Sequence, residues 1–288
     1  MTTLLELIEQ QSARLTQAGV SFGHGTDNAF DEAVWLALWK LGLPLDDLDG
    51  VAQRALSGAE VDAIDALVGE RIATRKPAAY LTREAWLQGV PFHVDERVIV
   101  PRSLIAELIA DGTLDAWLSD RTRRLLDLCT GNGSLAILAA LAWPDVQVDA
   151  ADLSADALAV ARLNVERHGL ADRITLHQGD GLDAVHGQRY DLILCNPPYV
   201  NTESMAALPP EFRAEPALAL AGGADGMDFI RTLVAQAHEH LADGGVLVIE
   251  IGHEAAHFER AFSPLEFAYL PTSAGDDQVV LLTKEQLA

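Results

Sequence analysis

Asparagine, two prolines and a tyrosine stand together at Asn196-Pro197-Pro198-Tyr199, directly after the apolar run Leu192–Cys195. The apolar run reads as a buried strand and the four residues as a stiff loop at its carboxyl end. Each proline fixes its own φ and carries no N–H, and each pushes the residue before it into an extended conformation. The loop therefore presents one carboxamide, free carbonyls and one aromatic ring in a fixed frame. In open α/β sheets that edge is where ligands bind. The chemistry that needs such a frame is attack by a poor nitrogen nucleophile, such as a carboxamide or an exocyclic base amine. The Asn196 side-chain oxygen and a proline carbonyl can each accept one N–H and aim the nitrogen at an electrophile without a base. Read without function, the same residues are a Pro-Pro turn after a strand.

A second cluster lies upstream. Asp127-Leu-Cys-Thr130-Gly131-Asn-Gly133-Ser-Leu-Ala136 joins an apolar run to a helical one and satisfies G-x-G-x-x-A. Glycines there let the backbone approach a ligand, and the following helix start favours polar groups. Asp152 ends the next strand, where an acid grips ribose hydroxyls. Gly179-Asp180 follows the third strand. Three strand ends thus outline an adenosine pocket. Asp127, placed just before the glycines, would repel a pyrophosphate and hold a cation. S-adenosylmethionine, with a sulfonium and no phosphate, is the expected ligand rather than a dinucleotide. The bland alternative is a glycine turn flanked by surface acids.

These residues must be carried by a βα alternation. From Arg124 the expected strands are Leu125–Leu128, Val146–Ala151, Ile174–His177, Leu192–Cys195, Val246–Ile251, Leu265–Leu270 and Val279–Leu282. Helical runs at Leu135–Ala142, Ala155–His168 and Phe229–Leu241 separate most of them. The pattern predicts a mostly parallel sheet covered on both faces, with an antiparallel pair at the end. Residues 1–79 carry apolar stripes at helical spacing, with Gly42 and Pro44 as stop signals, and read as a small helical bundle. Residues 80–100 read as a hairpin linker. Residues 101–288 then form the catalytic domain, entered through Pro101-Arg102 and a helix expected to be capped by Ser103.

Bulk composition narrows the class. The 288 residues are 49% hydrophobic, enough for a sizeable core. The 43 acidic and 20 basic residues leave a net charge of −23, which repels bare nucleic acid and anionic membranes and attracts a basic protein. Two cysteines, Cys129 and Cys195, do not make a disulfide framework. Acids interrupt the first apolar run, so it does not read as a signal peptide, and no stretch reaches the ~18–20 apolar residues of a membrane span. The cytoplasm is the expected location. His253-Glu254-Ala-Ala-His257 matches the zinc-protease pattern H-E-x-x-H. It lacks an identifiable third ligand, so no metal site is expected.

The motifs resemble those of class I methyltransferases that modify amide or exocyclic nitrogens. More of the chain is similar to the protein-glutamine N5-methyltransferases. Lys76-Pro77-Ala-Ala-Tyr80-Leu81, the hairpin Trp86–Val94 and Val100-Pro101-Arg102 look like that family's linker. Glu215-Pro216 through Gly222-Gly223-Ala-Asp225-Gly226 and Ile249-Glu250-Ile-Gly252 look like its later blocks. The resemblance covers about residues 75–285. It implies a seven-stranded Rossmann-like methyltransferase sheet with a small N-terminal helical domain. It also implies Asn196, Pro197 and Tyr199 in catalysis, and Asp127, Thr130, Gly131, Gly133, Asp152, Asp180 and Asn196 around S-adenosylmethionine. Asn196, Pro197, Pro198, Tyr199 and Arg102 are expected to face the glutamine.

The family has a release-factor branch and a branch acting on the third large-subunit ribosomal protein. Pro101-Arg102-Ser103-Leu-Ile-Ala-Glu107 is similar to the ribosomal branch, and Cys129 departs from the usual first glycine of the loop. The expected substrate is a basic ribosomal protein. Methylation of a release factor, methylation of a nucleic-acid amine and a non-catalytic cofactor-binding module stand as alternatives.

Overall fold

The computed structural model describes residues 2–288. The chain divides into two compact units. The first runs to Ala85 and takes in Leu208–Glu215; the second holds Trp86–Ala207 and Pro216–Ala288.

The first unit is built on three helices, Leu4–Gln17, Ala29–Leu41 and Gly58–Thr74. Two of them start in a reciprocal cap. Thr3 and Ser57 each accept the N–H of the glutamate three residues on, and Glu6 and Glu60 each accept the N–H of the cap residue. The second helix ends where Gly42 adopts the left-handed conformation expected of a helix stop. Leu4, Ile8, Leu15, Leu36, Leu38, Ile64 and Val68 form its core.

Arg71 is also fully buried in this unit. Its guanidinium bonds Glu32 at 2.9 Å and the carbonyl of Ser21 at 3.0 Å, and Glu211 lies at 3.4 Å. Glu211 further pairs with Arg75 at 2.7 Å and accepts the N–H of Ser21 at 3.2 Å. Burial alone raises a carboxyl's pKa, but these donors outweigh it and hold Glu211 below the ordinary range. Buried charge must be paired, so this short segment belongs with helices more than a hundred residues before it. The sequence places residues 101–288 in one domain; Leu208–Glu215 is the exception, and the buried arginine is the reason.

The hairpin pairs β1 (Glu84–Leu87) with β2 (Val90–His93). Gln88 and Gly89 between them both have positive φ, as a tight two-residue hairpin turn requires. The large sheet contains β3 (Arg124–Leu128), β4 (Gln147–Asp152), β5 (Ile174–Gln178), β6 (Tyr190–Cys195), β7 (Leu241–Glu250), β8 (Ala268–Tyr269) and β9 (Val279–Thr283). Their order is β5-β4-β3-β6-β7-β9-β8. The first five run parallel, and β9 is antiparallel to both β7 and β8.

This is the expected seven-stranded sheet with an N-terminal helical unit. Helices Ser134–Ala142, Ala155–Arg167 and Asp228–His240 fall within a residue or two of the sequence reading. Two details differ. The expected strand Leu265–Leu270 shrinks to two residues at the sheet edge, where long exposed strands are a liability. The helix after Arg102 begins at Ile105 with Leu104 as its cap residue, and Ser103 keeps part of the expected capping role: its Oγ accepts the Ile105 N–H at 3.3 Å while its hydroxyl donates to Glu250.

Apolar side chains cover both faces of the sheet. Leu125, Val148, Leu192 and Val246 point to one core, and Leu126, Ile193, Leu247 and Val280 to the other. Alternate residues of each strand therefore feed opposite cores, the period-two rule of a strand buried on both sides. The order reverses between β3 and β6, and at that switch point the carboxyl ends of neighbouring parallel strands leave a crevice.

Candidate functional site

A cavity of about 820 Å³, measured with its open mouth, lies at that crevice. Four consecutive strand ends line it: Leu128, Cys129 and Gly131 after β3, Asp152 to Ser154 after β4, Gly179 to Gly181 after β5, and Asn196 with Pro198 after β6.

The glycine loop is held from the side by an acid. Asp152 Oδ2 accepts the N–H of Gly131 at 2.9 Å, and its Oδ1 accepts the N–H of Ser154 at 2.9 Å. Burial raises its pKa against the pull of these bonds. Gly133 opens the helix Ser134–Ala142 and does not line the cavity; a Cβ there would meet Ala161 at 3.3 Å, so its small size serves helix packing. Cys129 stands where a glycine is usual and keeps glycine's backbone, with φ +61°. That conformation is uncommon for a residue with a side chain. Leu128 lies opposite Cys195 across the β3–β6 pair. The Cys129 thiol is near enough to add to the upward push that burial gives the Cys195 thiol.

Asp127 is not a wall of the cavity. Its Oδ2 accepts the Thr130 hydroxyl at 2.5 Å and the N–H of Ala136 at 2.9 Å. Complete burial pushes its carboxyl up to about 7, against those two bonds. Its other oxygen, Oδ1, is buried with no hydrogen-bond partner among the described residues. Thr130 likewise stays off the cavity surface, spent on Asp127.

The Asn196 carboxamide lines the cavity and makes no hydrogen bond to another described residue. Pro197 is buried behind it, while Pro198 reaches the cavity surface. Tyr199, expected to face the glutamine, is not among the residues that line the cavity. Its hydroxyl donates to Glu250 Oε1 at 3.1 Å. Two glycines from the later blocks explain its tight seat. A Cβ at Gly252 would lie 2.5 Å from the Tyr199 ring, and one at Gly226 would lie 2.2 Å from its carbonyl oxygen. Those blocks are spacers that let the backbone close on the loop. Arg102 is also away from the cavity; its guanidinium donates to the carbonyl of Val100 at 3.0 Å, and its charge favours ionised Glu250.

Sequence reasoning missed the rest of the lining. Arg97, Val98 and Ile99 come from the segment after the hairpin, and Pro216, Leu218 and Phe229 from the stretch after the catalytic loop. Arg97 is the one cation among the lining residues. Its guanidinium is bonded to Asp95 at 2.8 and 2.6 Å, and that pairing lowers the Asp95 pKa to about 2. His253 and His257 are not on one helix face, since the helix starts at Ala255. Glu254 is bonded to Asn201 and to His257.

A methyltransferase small-domain model matches residues 109–223. Along its whole length the chain is 55% identical to the ribosomal protein uL3 glutamine methyltransferase of Bordetella pertussis and spans 97% of that protein. The chain belongs to this family. The family member from Neisseria gonorrhoeae is 48% identical, again over the full chain and 96% of the relative. Among solved structures, the hMettl16 catalytic domain in complex with MAT2A 3'UTR hairpin 1 superposes with a TM-score of 0.52. The match covers 82% of this chain and 84% of that one at 16% identity. That likeness is one of fold and identifies the sheet as a class I methyltransferase sheet.

S-adenosylmethionine is the methyl donor that suits the residues of this family member. Two carboxylates, Asp152 and Asp180, line the cavity, and the only lining cation is already paired. A phosphate-bearing cofactor would find no free positive partner there. The buried Oδ1 of Asp127, beside the glycine loop and without a donor, suits a ligand that carries N–H groups and positive charge.

Proposed function

We propose that this chain transfers a methyl group from S-adenosylmethionine to the side-chain amide nitrogen of a glutamine in ribosomal protein uL3. The observation that carries the reading is the full-length identity to uL3 glutamine methyltransferases, joined to an asparagine carboxamide presented without a partner at the cavity. The relatives' name favours the ribosomal branch over the release-factor branch. The charge of −23 suits a basic ribosomal protein and disfavours bare nucleic acid.

An amide nitrogen is delocalised and barely nucleophilic, so alignment has to supply most of the acceleration. Asn196 Oδ1 accepts one N–H of the glutamine, and the carbonyl of Pro197 accepts the other. The two contacts turn the nitrogen's face toward the donor. When bound, S-adenosylmethionine would supply a sulfonium methyl: the N–C bond to the aligned nitrogen would form as the S–C bond breaks, with S-adenosylhomocysteine leaving as the neutral thioether and one amide proton passing to solvent. Asp152 takes the ribose hydroxyls, Asp180 a further polar edge, and the loop Thr130–Gly133 closes against the amino-acid end beside Asp127. Pro198 and Arg102 belong to the substrate side, Arg102 acting at a distance from the cavity. No metal is required.

Residues 1–79 are read as a helical bundle, 80–100 as a linker and 101–288 as the catalytic part, with 208–215 built into the bundle's unit. No helix among the described residues is long and apolar enough to cross a membrane. A cytoplasmic location, with uL3 modified before it is buried in a ribosome, completes the proposal. The test mixes the purified chain with labelled S-adenosylmethionine and free uL3, a release factor or ribosomal RNA. A methyl group on one glutamine of uL3 is expected; equal or faster labelling of either competitor would overturn the reading.

A further inference from the structure

Glu250 is the last residue of β7, buried, and outside the cavity lining. A carboxylate in such a place must be satisfied by donors. Three supply it. Ser103 Oγ donates at 2.6 Å and the N–H of Leu104 at 2.8 Å, both to Oε2. The Tyr199 hydroxyl donates to Oε1 at 3.1 Å. One carboxylate therefore ties the turn after the hairpin to the Asn-Pro-Pro-Tyr loop.

Tyr199 and Asn196 are separated only by Pro197 and Pro198. Two proline rings remove two φ rotations from that span, so displacement of the tyrosine carries over to the asparagine. The other side of the tyrosine is closed by Gly252, where even a methyl group would lie 2.5 Å from the ring. The ring has one seat, and the hydroxyl contact with Glu250 fixes its depth.

We propose that Glu250 is a positioning residue for methyl transfer: through Tyr199 and the rigid proline pair it sets where the Asn196 carboxamide stands. The inference rests on the functional reading above. Ser103 and the Leu104 N–H are the second half of the device, because they orient the carboxylate that orients the tyrosine. Burial is the largest influence and raises the Glu250 pKa, against the three donors and the charge of Arg102.

The experiment uses the full chain and the variants Tyr199→Phe, Glu250→Ala, Glu250→Gln and the double variant Tyr199→Phe/Glu250→Ala. Single-turnover methylation of free uL3 is measured beside the dissociation constant for S-adenosylhomocysteine. Tyr199→Phe and Glu250→Ala are each expected to slow the turnover roughly tenfold to a hundredfold, the range for a lost hydrogen bond to a charged group. The double variant should be no slower than the slower single, and cofactor affinity should stay within about twofold, as contacts acting in one unit through the same group require. Glu250→Gln, which keeps an acceptor for Ser103 and can donate to the tyrosine oxygen, should recover most of the rate.

Rates near wild type in the singles, multiplied losses in the double, or cofactor affinity lost in step with rate would each overturn the inference. Amide exchange of Asn196, Tyr199 and Val200 is followed in the same proteins. It should quicken in Glu250→Ala and Tyr199→Phe while β6 stays protected. Unchanged loop exchange overturns the positioning role even if wild type does not act on uL3, an outcome that would strike only the functional reading.

Discussion

The carboxylate of Asp152, at the end of β4, accepts the backbone N–H of Gly131, past the end of β3, at 2.9 Å. One acid thus shapes the glycine turn of the neighbouring strand and still faces the cavity. Removing it should disturb both. Asp152→Ala is expected to weaken S-adenosylhomocysteine binding roughly tenfold to a hundredfold, and Asp152→Asn, which keeps one acceptor oxygen, less. Calorimetric titration decides it: wild-type affinity in the alanine variant would remove Asp152 from the cofactor's partners.

Asn196→Ala tests the other wall. The variant loses the proposed acceptor for the substrate amide and leaves the prolines and the glycine loop in place. A contact that orients the reacting group is worth ~2.7–4 kcal/mol, or roughly a hundred- to a thousandfold in rate. Cofactor affinity should change far less. Single-turnover rates and cofactor titration on the same preparation separate the two effects, and near-normal turnover would refute the assignment.

Asp127 predicts a pH dependence. Burial pushes its carboxyl from 3.8 up to about 7, despite the bonds from Thr130 and Ala136. A folded pKa above the unfolded one means the contribution is complete below the unfolded value and is lost as pH rises through the folded one. Ligand-free protein should therefore lose stability between about pH 4 and about pH 7, with a slope of at most ~1.4 kcal/mol per pH unit from this group. Urea unfolding across that window should show the slope in wild type and a flatter curve in Asp127→Asn.

The two thiols should differ in reactivity. Cys129 lines the cavity, whereas Cys195 is wholly buried and burial holds its pKa well above the ordinary thiol value. The thiolate is the reactive form. Iodoacetamide should label Cys129 in the folded chain, S-adenosylhomocysteine should slow that labelling, and Cys195 should react only on unfolding. Peptide mass spectra identify which residue is modified; early labelling of Cys195 would contradict the burial.

The strands that carry the site were legible as short, nearly unbroken apolar runs, as Leu125–Leu128 and Leu192–Cys195 are, because they are buried on both faces. Asn196, Gly131, Asp152 and Asp180 were legible because strand ends in this fold share one edge. Other contributors left no periodic signal. Phe229 is the second residue of a helix and reads as core, and Leu218 sits in a single 3-10 turn, Ala217–Ala219, too short to leave a pattern. Glu250 ends an apolar strand, and only the approach of Tyr199 and Ser103 gives it a task. The Ser103 hydroxyl serves two partners at once, accepting the Ile105 N–H and donating to Glu250, and spacing along the chain reveals only the first. Asp127 and Tyr199 were found by residue type, but their direction of contact was not, since side-chain orientation depends on partners far along the chain.

The union of Arg71 with Glu211 bears on how the molecule comes into being. A chain leaves the ribosome from its amino end, and the three early helices emerge long before residue 211. Until then Arg71 has Glu32 and the Ser21 carbonyl but not its later acid. The leading unit is therefore finished only after most of the trailing one, strands β3 to β6 included, has been synthesised. The enzyme's early residues thus wait on a late one for part of their buried ion pairing.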